Sequence, residues 1–174
     1  LTAGQGNASY PSLSPDGKQI AFTSNEFGPT EVCLIPATGG VTQQLTYFAS
    51  TQVKTLGWQD DANILFISNT RQPFYRKAHV YCQPVSGLPA QEIKIGPASS
   101  LVYAPSHYPN ASVLHRAGID PARWKRYRGG RMGKLWIDLT GKQKYKPLLR
   151  LKGNLADPMW IDDRIYFVSD HEGF

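Results

Sequence analysis

The chain has 174 residues, with 19 Lys and Arg against 13 Asp and Glu, for a net charge of +6 at pH 7. Hydrophobic residues at 41% and aromatics at 11% exclude a disordered polar tract, and no apolar run approaches the length of a membrane span. The 16 Gly and 13 Pro fall between short apolar stretches, a spacing that suits many turns and few helices.

In chain order, Leu1-Thr2 resembles the later Leu45-Thr46, so the chain is expected to open inside a repeating unit and to be a piece of a longer array. Ser9 to Leu13 reads as a strand. The Ser14-Pro15-Asp16-Gly17 turn follows, in which Pro presets φ and Gly supplies the permissive last position. Residues 18 to 24 form the second predicted strand, and Glu31–Ile35 and Val41–Thr46 flank the Pro36-Ala37-Thr38-Gly39-Gly40 connection as the third and fourth. The same strand, turn, strand word recurs at Gly57–Asn69, inside a second unit running from about Val53 to Ile93. A third unit begins with Leu101–Ala104 and the degraded copy Ala111–Arg116, takes a long insert, and resumes at Lys134–Lys142. Pro158–Asp170 is a further copy of the word.

With Phe22, Phe66, Leu114 and Phe167 taken as equivalent, the spacings are 44, 48 and 53 residues, the range of four-stranded propeller blades. The expected fold is all-β: a β-propeller fragment of about three four-stranded blades plus the start of a fourth, at roughly 8–47, 53–94, 100–150 and 155–174. Phe22, Phe66 and Phe167 are expected to be buried between adjacent sheets.

Catalytic and metal patterns are sparse. There is no Gly-x-Ser-x-Gly elbow, and His171-Glu172-Gly173-Phe174 lacks the second His of a zinc-protease helix. His79, His107, His115 and His171 are scattered without ligand spacing and read as surface or packed histidines, so no metal and no cofactor is expected. Asp60-Asp61 and Asp162-Asp163 occupy the turn held by Asp16 in the first unit, where aspartate bonds its own backbone. Cys33 and Cys82 are offset by one position in equivalent strands, which places them on opposite faces and predicts free thiols.

The chemically distinctive stretch is the insert Arg123-Trp124-Lys125-Arg126-Tyr127-Arg128-Gly129-Gly130-Arg131-Met132-Gly133-Lys134, with six basic residues in twelve. Arg116 to Lys152 carries +10 and the remainder −4, so the positive charge is local. Such a patch could bind RNA or single-stranded DNA through phosphates and stacking on Trp124 and Tyr127. It could equally attract peptide carboxylates or an acidic partner domain, or be a solvated loop paired with neighbouring blades. Gly129 and Gly130 are expected to permit the tight path into the strand that starts at Lys134. A P-loop is excluded, because Arg128 stands where its first Gly is needed and Leu135 follows Gly133-Lys134 in place of Ser or Thr.

Ser14-Pro15-Asp16-Gly17 followed by Ile20-Ala21-Phe22 resembles the blade word shared by tricorn proteases, Tol-system propellers and prolyl oligopeptidase relatives. The chain is more specifically similar to the first, six-bladed propeller of the tricorn protease family. The matching segments are Leu45-Thr46-Tyr47-Phe48, Gln72-Pro73-Phe74, Gly96-Pro97-Ala98, Trp124-Lys125, Tyr127-Arg128-Gly129-Gly130, Gly133-Lys134-Leu135-Trp136-Ile137, Arg164-Ile165-Tyr166-Phe167 and Gly173-Phe174, in family order over nearly the whole chain. The resemblance implies a cytoplasmic hexameric serine peptidase that shortens oligopeptides released by the proteasome or similar proteases. Its catalytic residues would lie in a C-terminal part outside this sequence. This portion would be a non-catalytic channel and docking scaffold whose partners are the parent's other domains, further copies of the chain, and peptide substrates or products, with neither nucleic acid nor membrane among them. A periplasmic Tol-type interaction propeller is the alternative. The family resemblance also implies adjacent arginines anchoring a substrate carboxylate in the loop after Leu45–Phe48. Here that loop reads Ala49-Ser50-Thr51-Gln52-Val53-Lys54-Thr55, and Lys54 is its one basic residue and so the candidate for that role.

Overall fold

The computed structural model describes residues 6–74, 77–116 and 128–172. The chain divides into two compact units, Leu1–Gly96 and Pro97–Phe174. Among the described residues every regular element is a strand, and no helix is long and apolar enough to cross a membrane.

The first unit holds two four-stranded antiparallel sheets in simple sequence order. One is built from β1 (Ala8–Leu13), β2 (Gln19–Ser24), β3 (Glu31–Pro36) and β4 (Gln43–Gln44), the other from β5 (Val53–Asp60), β6 (Asn63–Ser68), β7 (His79–Pro84) and β8 (Gln91–Glu92). The first hairpin follows from its turn chemistry. The Gly17 amide donates to the Ser14 carbonyl at 2.9 Å, and Gly17 takes a φ of 72° that a β-carbon would oppose. The Ser14 hydroxyl donates to Asp16 Oδ1 at 2.7 Å, and the Lys18 amide donates to the same oxygen at 3.1 Å. Asp60 repeats the device by accepting the Ala62 amide at 2.8 Å. These aspartates therefore hold turns, as their position predicts.

The central strands β2, β3 and β6 are apolar and buried on both faces. Ala21, Val32 and Leu34 of the first sheet pack against Ile64, Phe66 and Tyr81 of the second, with Leu45 and Val53 completing the cluster. Phe48 stacks on Phe66 with ring centroids 6.0 Å apart, and Tyr81 stacks on it at 5.4 Å. Polar groups register the two sheets as well. The Thr55 amide donates to Thr23 Oγ1 at 2.8 Å, the Trp58 indole donates to the Ser12 carbonyl at 3.0 Å, and the Asp16 amide donates to Asp61 Oδ1 at 2.8 Å. Phe22 is buried too, but on the other face of its sheet beside Cys33 and Ile35.

The second unit holds a four-stranded sheet of β9 (Ser100–Tyr103), β10 (Ser112–Arg116), β11 (Lys134–Asp138) and β12 (Lys146–Pro147), and a hairpin of β13 (Leu155–Ile161) and β14 (Arg164–Ser169). Val113, Leu135, Ile137 and Leu155 form its core, against which Trp160, Ile165 and Phe167 pack. Phe167 departs from expectation by being only half-buried. Phe66 is covered within its own sheet by Tyr81 of the adjoining strand, whereas β14 has a single paired neighbour among the described residues.

The outer strands are also shorter than their sequence pattern suggests. Val41–Thr46 contributes only Gln43–Gln44, because the chain enters from Gly39 and Gly40 at positive φ and leaves Val41 89% exposed. A two-residue outer strand presents little unpaired backbone for edge-to-edge association.

One device recurs at the end of β2, β6 and β14. Ser24, Ser68 and Ser169 each accept the amide two residues on, from Glu26, Thr70 and His171 respectively. The Asn or Asp that follows reaches the segment entering the sheet's first strand. Asn25 Oδ1 accepts the Asn7 amide at 2.7 Å, Asn69 Nδ2 donates to Thr51 Oγ1 at 2.8 Å, and Asp170 Oδ1 accepts the Asn154 amide at 2.7 Å. At the equivalent place after β10 the sequence is Arg116-Ala117, which supplies neither group, and the long insert leaves from there.

Candidate functional site

Of the basic insert, Arg123, Trp124, Lys125, Arg126 and Tyr127 lie outside the described residues. Arg128 is engaged in structure: its Nη1 lies 3.3 Å from Asp170 Oδ1 and 3.4 Å from Oδ2. Asp170 also accepts the amide and the side-chain Nδ2 of Asn154, and Asn154 Oδ1 in turn accepts the Gly133 amide at 3.2 Å. The chain after the insert is thus tied by a guanidinium, a buried carboxylate and an amide side chain to the segment that enters β13. Each oxygen of Asp170 is matched by donors, which is what makes its burial tolerable.

The glycine requirement sits elsewhere than expected. Gly129 and Gly130 are absent from the left-handed region, and a β-carbon on Gly130 would meet open space. Gly133 is the constrained position, since a β-carbon there would collide with the Leu155 carbonyl oxygen and press on the His115 ring. The cause is close approach of two chains rather than turn dihedrals. Arg131 and Lys134 are exposed at the start of β11.

Lys54 lies on β5, and its Nζ sits 4.8 Å from the centre of the Tyr10 ring. Tyr10 occupies the irregularity in β1, where the register shifts between Ser9 and Ser12, and it holds a φ of 53°. A bulge at that point re-aims the side chain away from the ladder. The pair joins the first strands of two neighbouring sheets, and the ammonium is held over an aromatic face as a point charge rather than in a bidentate fork.

A shallow groove of about 520 Å³ opens beside β4, with Phe27, Pro29, Gln44 and Tyr47 on its walls and Glu31 in its lining. Glu31 is 2% exposed. Its Oε2 accepts the Thr46 hydroxyl at 2.5 Å, its Oε1 accepts the Ala49 amide at 2.6 Å, and the Thr46 oxygen accepts the Val32 amide at 2.9 Å. The carboxylate therefore fastens the Leu45–Ala49 segment and is not placed as an acid or base. Nothing in the sequence singled Glu31 out. The available signal was a charged residue opening the otherwise apolar strand Glu31-Val32-Cys33-Leu34-Ile35.

The remaining candidates are dispersed. His79 pairs with Glu92 at 2.9 Å, His107 with Asp163 at 3.1 Å, and His171 lies 3.6 Å from Glu172, while His115 is buried. Among the described residues no group of three or more His, Cys, Asp or Glu could hold a metal ion. Cys33 is buried and Cys82 half-buried, both as free thiols. Burial, with the nearby Glu26 and Glu31 charges, pushes the Cys33 thiol up to about 11. Asp138, beneath the β11–β12 turn, is buried, which raises its carboxyl. Hydrogen bonds from the Thr140 hydroxyl and amide and from the Lys144 amide outweigh that and hold it below the usual range.

Known proteins give these features a family. The chain is 38% identical over 167 residues to Tricorn protease homolog 1 of Streptomyces coelicolor, covering 94% of this chain and 15% of that protein. The tricorn protease crystal structure superposes with a TM-score of 0.81 at 23% identity, covering 99% of this chain and 17% of that one. TolB from Acinetobacter baumannii is similar in fold, with a TM-score of 0.60 at 15% identity over 89% of this chain and 35% of that one. The chain thus spans about 15% of the length of the first of these relatives. A family model described as the Tricorn protease N-terminal beta propeller domain matches residues 1–174, and by that match the chain belongs to the tricorn protease family as part of its N-terminal β-propeller.

Proposed function

We propose that this chain is a non-catalytic propeller portion of a tricorn-like serine peptidase, which shortens oligopeptides and uses the propeller as a channel and docking scaffold. The observation that carries the reading is the family match along all of residues 1–174, on a chain folded as successive four-stranded sheets. In this reading the first strand of each sheet lines the central opening, so Tyr10 and Lys54 stand where a peptide passes. Lys54 offers one cation to a carboxylate, a weaker anchor than paired arginines. The parent assembles as a hexamer in the cytoplasm, its other domains contact the propeller's outer surfaces, and no cofactor is required of this portion.

The test uses the full-length parent. A Tyr10→Cys variant carrying a bulky thiol-linked label should slow hydrolysis of long peptides several-fold while sparing dipeptide-length esters, and the isolated chain should hydrolyse neither. Equal slowing of both substrates, or none, would refute the channel role. Turnover by the isolated chain that disappears on mutating one of its residues would refute the non-catalytic role. Cell fractionation tests the cytoplasmic placement, and recovery of the parent from the periplasm would refute it.

A further inference from the structure

The outer edge of the third sheet carries positive charge that the fold leaves unmatched. Lys142, Lys144 and Lys146 are all exposed and alternate along the turn and the outermost strand, β12. Arg131 and Lys134 at the start of β11, and Arg150 and Lys152 just after β12, extend the row, and all four are exposed. Among the described residues none of these seven cations has an acidic partner.

Of the described acids of the same unit, Asp170 is paired with Arg128, Asp163 with His107 and Glu172 with His171, and Asp138 faces inward. Asp157 and Asp162 are exposed on the β13–β14 hairpin, and neither is paired with a lysine or arginine of this edge. Asp138 also makes this edge a built surface rather than a loose run of lysines. Its Oδ1 accepts the Thr140 amide and hydroxyl and its Oδ2 accepts the Lys144 amide, while the Thr140 oxygen accepts the Lys142 amide. The backbone from which the lysines project is thereby fixed.

A lysine or two on an outer strand is enough to discourage edge-to-edge pairing. Seven uncompensated cations exceed that need, and Pro147 already removes one backbone donor from the edge. The register places Ile137 opposite Lys146 and Trp136 opposite Pro147, so Leu139 and Leu149 lie towards opposite ends of the row. They are 55% and 40% exposed. The aromatics of this edge are not stacking platforms: Tyr145 is half-buried with its hydroxyl bonded to Ser112 at 2.8 Å, and Trp136 is half-buried in β11. That argues against single-stranded nucleic acid, whose binding depends on exposed rings.

We infer that the outer edge of the third sheet, centred on Lys142, Lys144 and Lys146, docks an extended acidic protein segment with apolar residues at its ends. Only Lys146 lies on β12, while Lys142 and Lys144 flank Gln143 in the turn, so the match to an acidic segment is one of charge rather than of strand period. Lysine ammoniums at the surface give a salt-sensitive contact with fast association rather than tight geometric recognition. The inference deepens the docking role proposed above and rests on it for the identity of the protein that supplies the segment.

Fluorescence anisotropy on the full chain tests the binding by itself. The probe is a labelled twelve-residue peptide of alternating Glu and Asp with a terminal Leu at each end, compared with its Gln and Asn counterpart and with an oligothymidine of equal charge, each at two ionic strengths. The expected result is binding of the acidic peptide alone, weakened by salt and weakened about ten-fold in a K142Q/K144Q/K146Q variant whose circular dichroism is unchanged. The R123Q/K125Q/R126Q variant should bind the acidic peptide like the parent chain. No peptide binding at low salt, equal binding of the neutral peptide, tighter binding of the oligonucleotide, or loss confined to the R123Q/K125Q/R126Q variant would each overturn the inference. None of these outcomes bears on whether the parent is a peptidase, which peptide hydrolysis by the unlabelled full-length parent decides.

Discussion

Replacing Phe66 by Ala isolates the packing between the first two sheets. The ring is fully buried, touches the aliphatic cluster of Ala21, Val32 and Leu34, and is stacked by Phe48 and Tyr81. Removing a buried phenylalanine costs about 3–5 kcal/mol through lost transfer and the cavity left behind. The two ring contacts place the expected loss near the upper end, since each aromatic pair adds roughly 0.5–1.5 kcal/mol. A chain of this size has about 5–15 kcal/mol of stability in total, so the variant should fold but sit much closer to its threshold. In urea, with a slope of about 2 kcal/mol per molar, the midpoint should fall by roughly 1.5–2.5 M at unchanged slope. Phe167→Ala is the internal control. Half-buried on a strand with one paired neighbour, Phe167 should cost about 1–2 kcal/mol. If Phe66→Ala shifted the midpoint no more than Phe167→Ala does, the reasoning that sheet-on-sheet packing centres on this ring would be wrong.

Gly133→Ala should destabilise by about 2–4 kcal/mol because the Leu155 carbonyl cannot retreat, whereas Gly130→Ala should stay within about 0.5 kcal/mol, and thermal melts separate them. The Ser14 hydroxyl, then the Lys18 amide and ammonium, hold the Asp16 carboxyl down from 3.8 to about 2. A depressed carboxyl contributes stability that is fully present above its unfolded value and lost as pH falls through the folded one. Acid titration of stability between pH 4 and 2 should therefore be flatter in Asp16→Asn than in the parent chain, and parallel curves would contradict the assignment. Cys33, buried and with its thiol at about 11, should react with a thiol reagent only on unfolding, while half-buried Cys82 should react sooner, as timed labelling and mass spectrometry would show.

What could be read from the chain alone was what is local in it. Pro15, Asp16 and Gly17 specify their hairpin through dihedrals and bonds to residues two to five positions away, and the apolar runs around Phe22 and Phe66 specify strands covered on both faces. The outer strands were overextended because Val41–Thr46 alternates like a strand, yet only pairing decides how much of it joins a ladder. Glu31 was invisible because its partners, Thr46 and Ala49, lie 15 and 18 residues on and meet it only when β3 and the following loop are in place. For the same reason the glycines were misread. Gly129 and Gly130 look like turn residues, but the demand for a missing side chain arises at Gly133, from a carbonyl more than twenty residues away. Lys54 was legible as a lone cation, and its seat on Tyr10 depends on how β1 and β5 lie together.

The serine and Asx pair that closes β2, β6 and β14 works as a clasp at the base of a corner. It fastens the strand's exit to the entrance of the same sheet, so the segment beyond can differ in length, six residues after β2 and ten after β6, without loosening the first strand. Where Arg116-Ala117 stands in place of the pair, 17 residues separate β10 from β11, and that sheet's first strand is held by other contacts. Removing the clasp with Asn69→Ala should therefore loosen the entrance of β5 rather than the segment that follows β6, which hydrogen exchange at the two places would show.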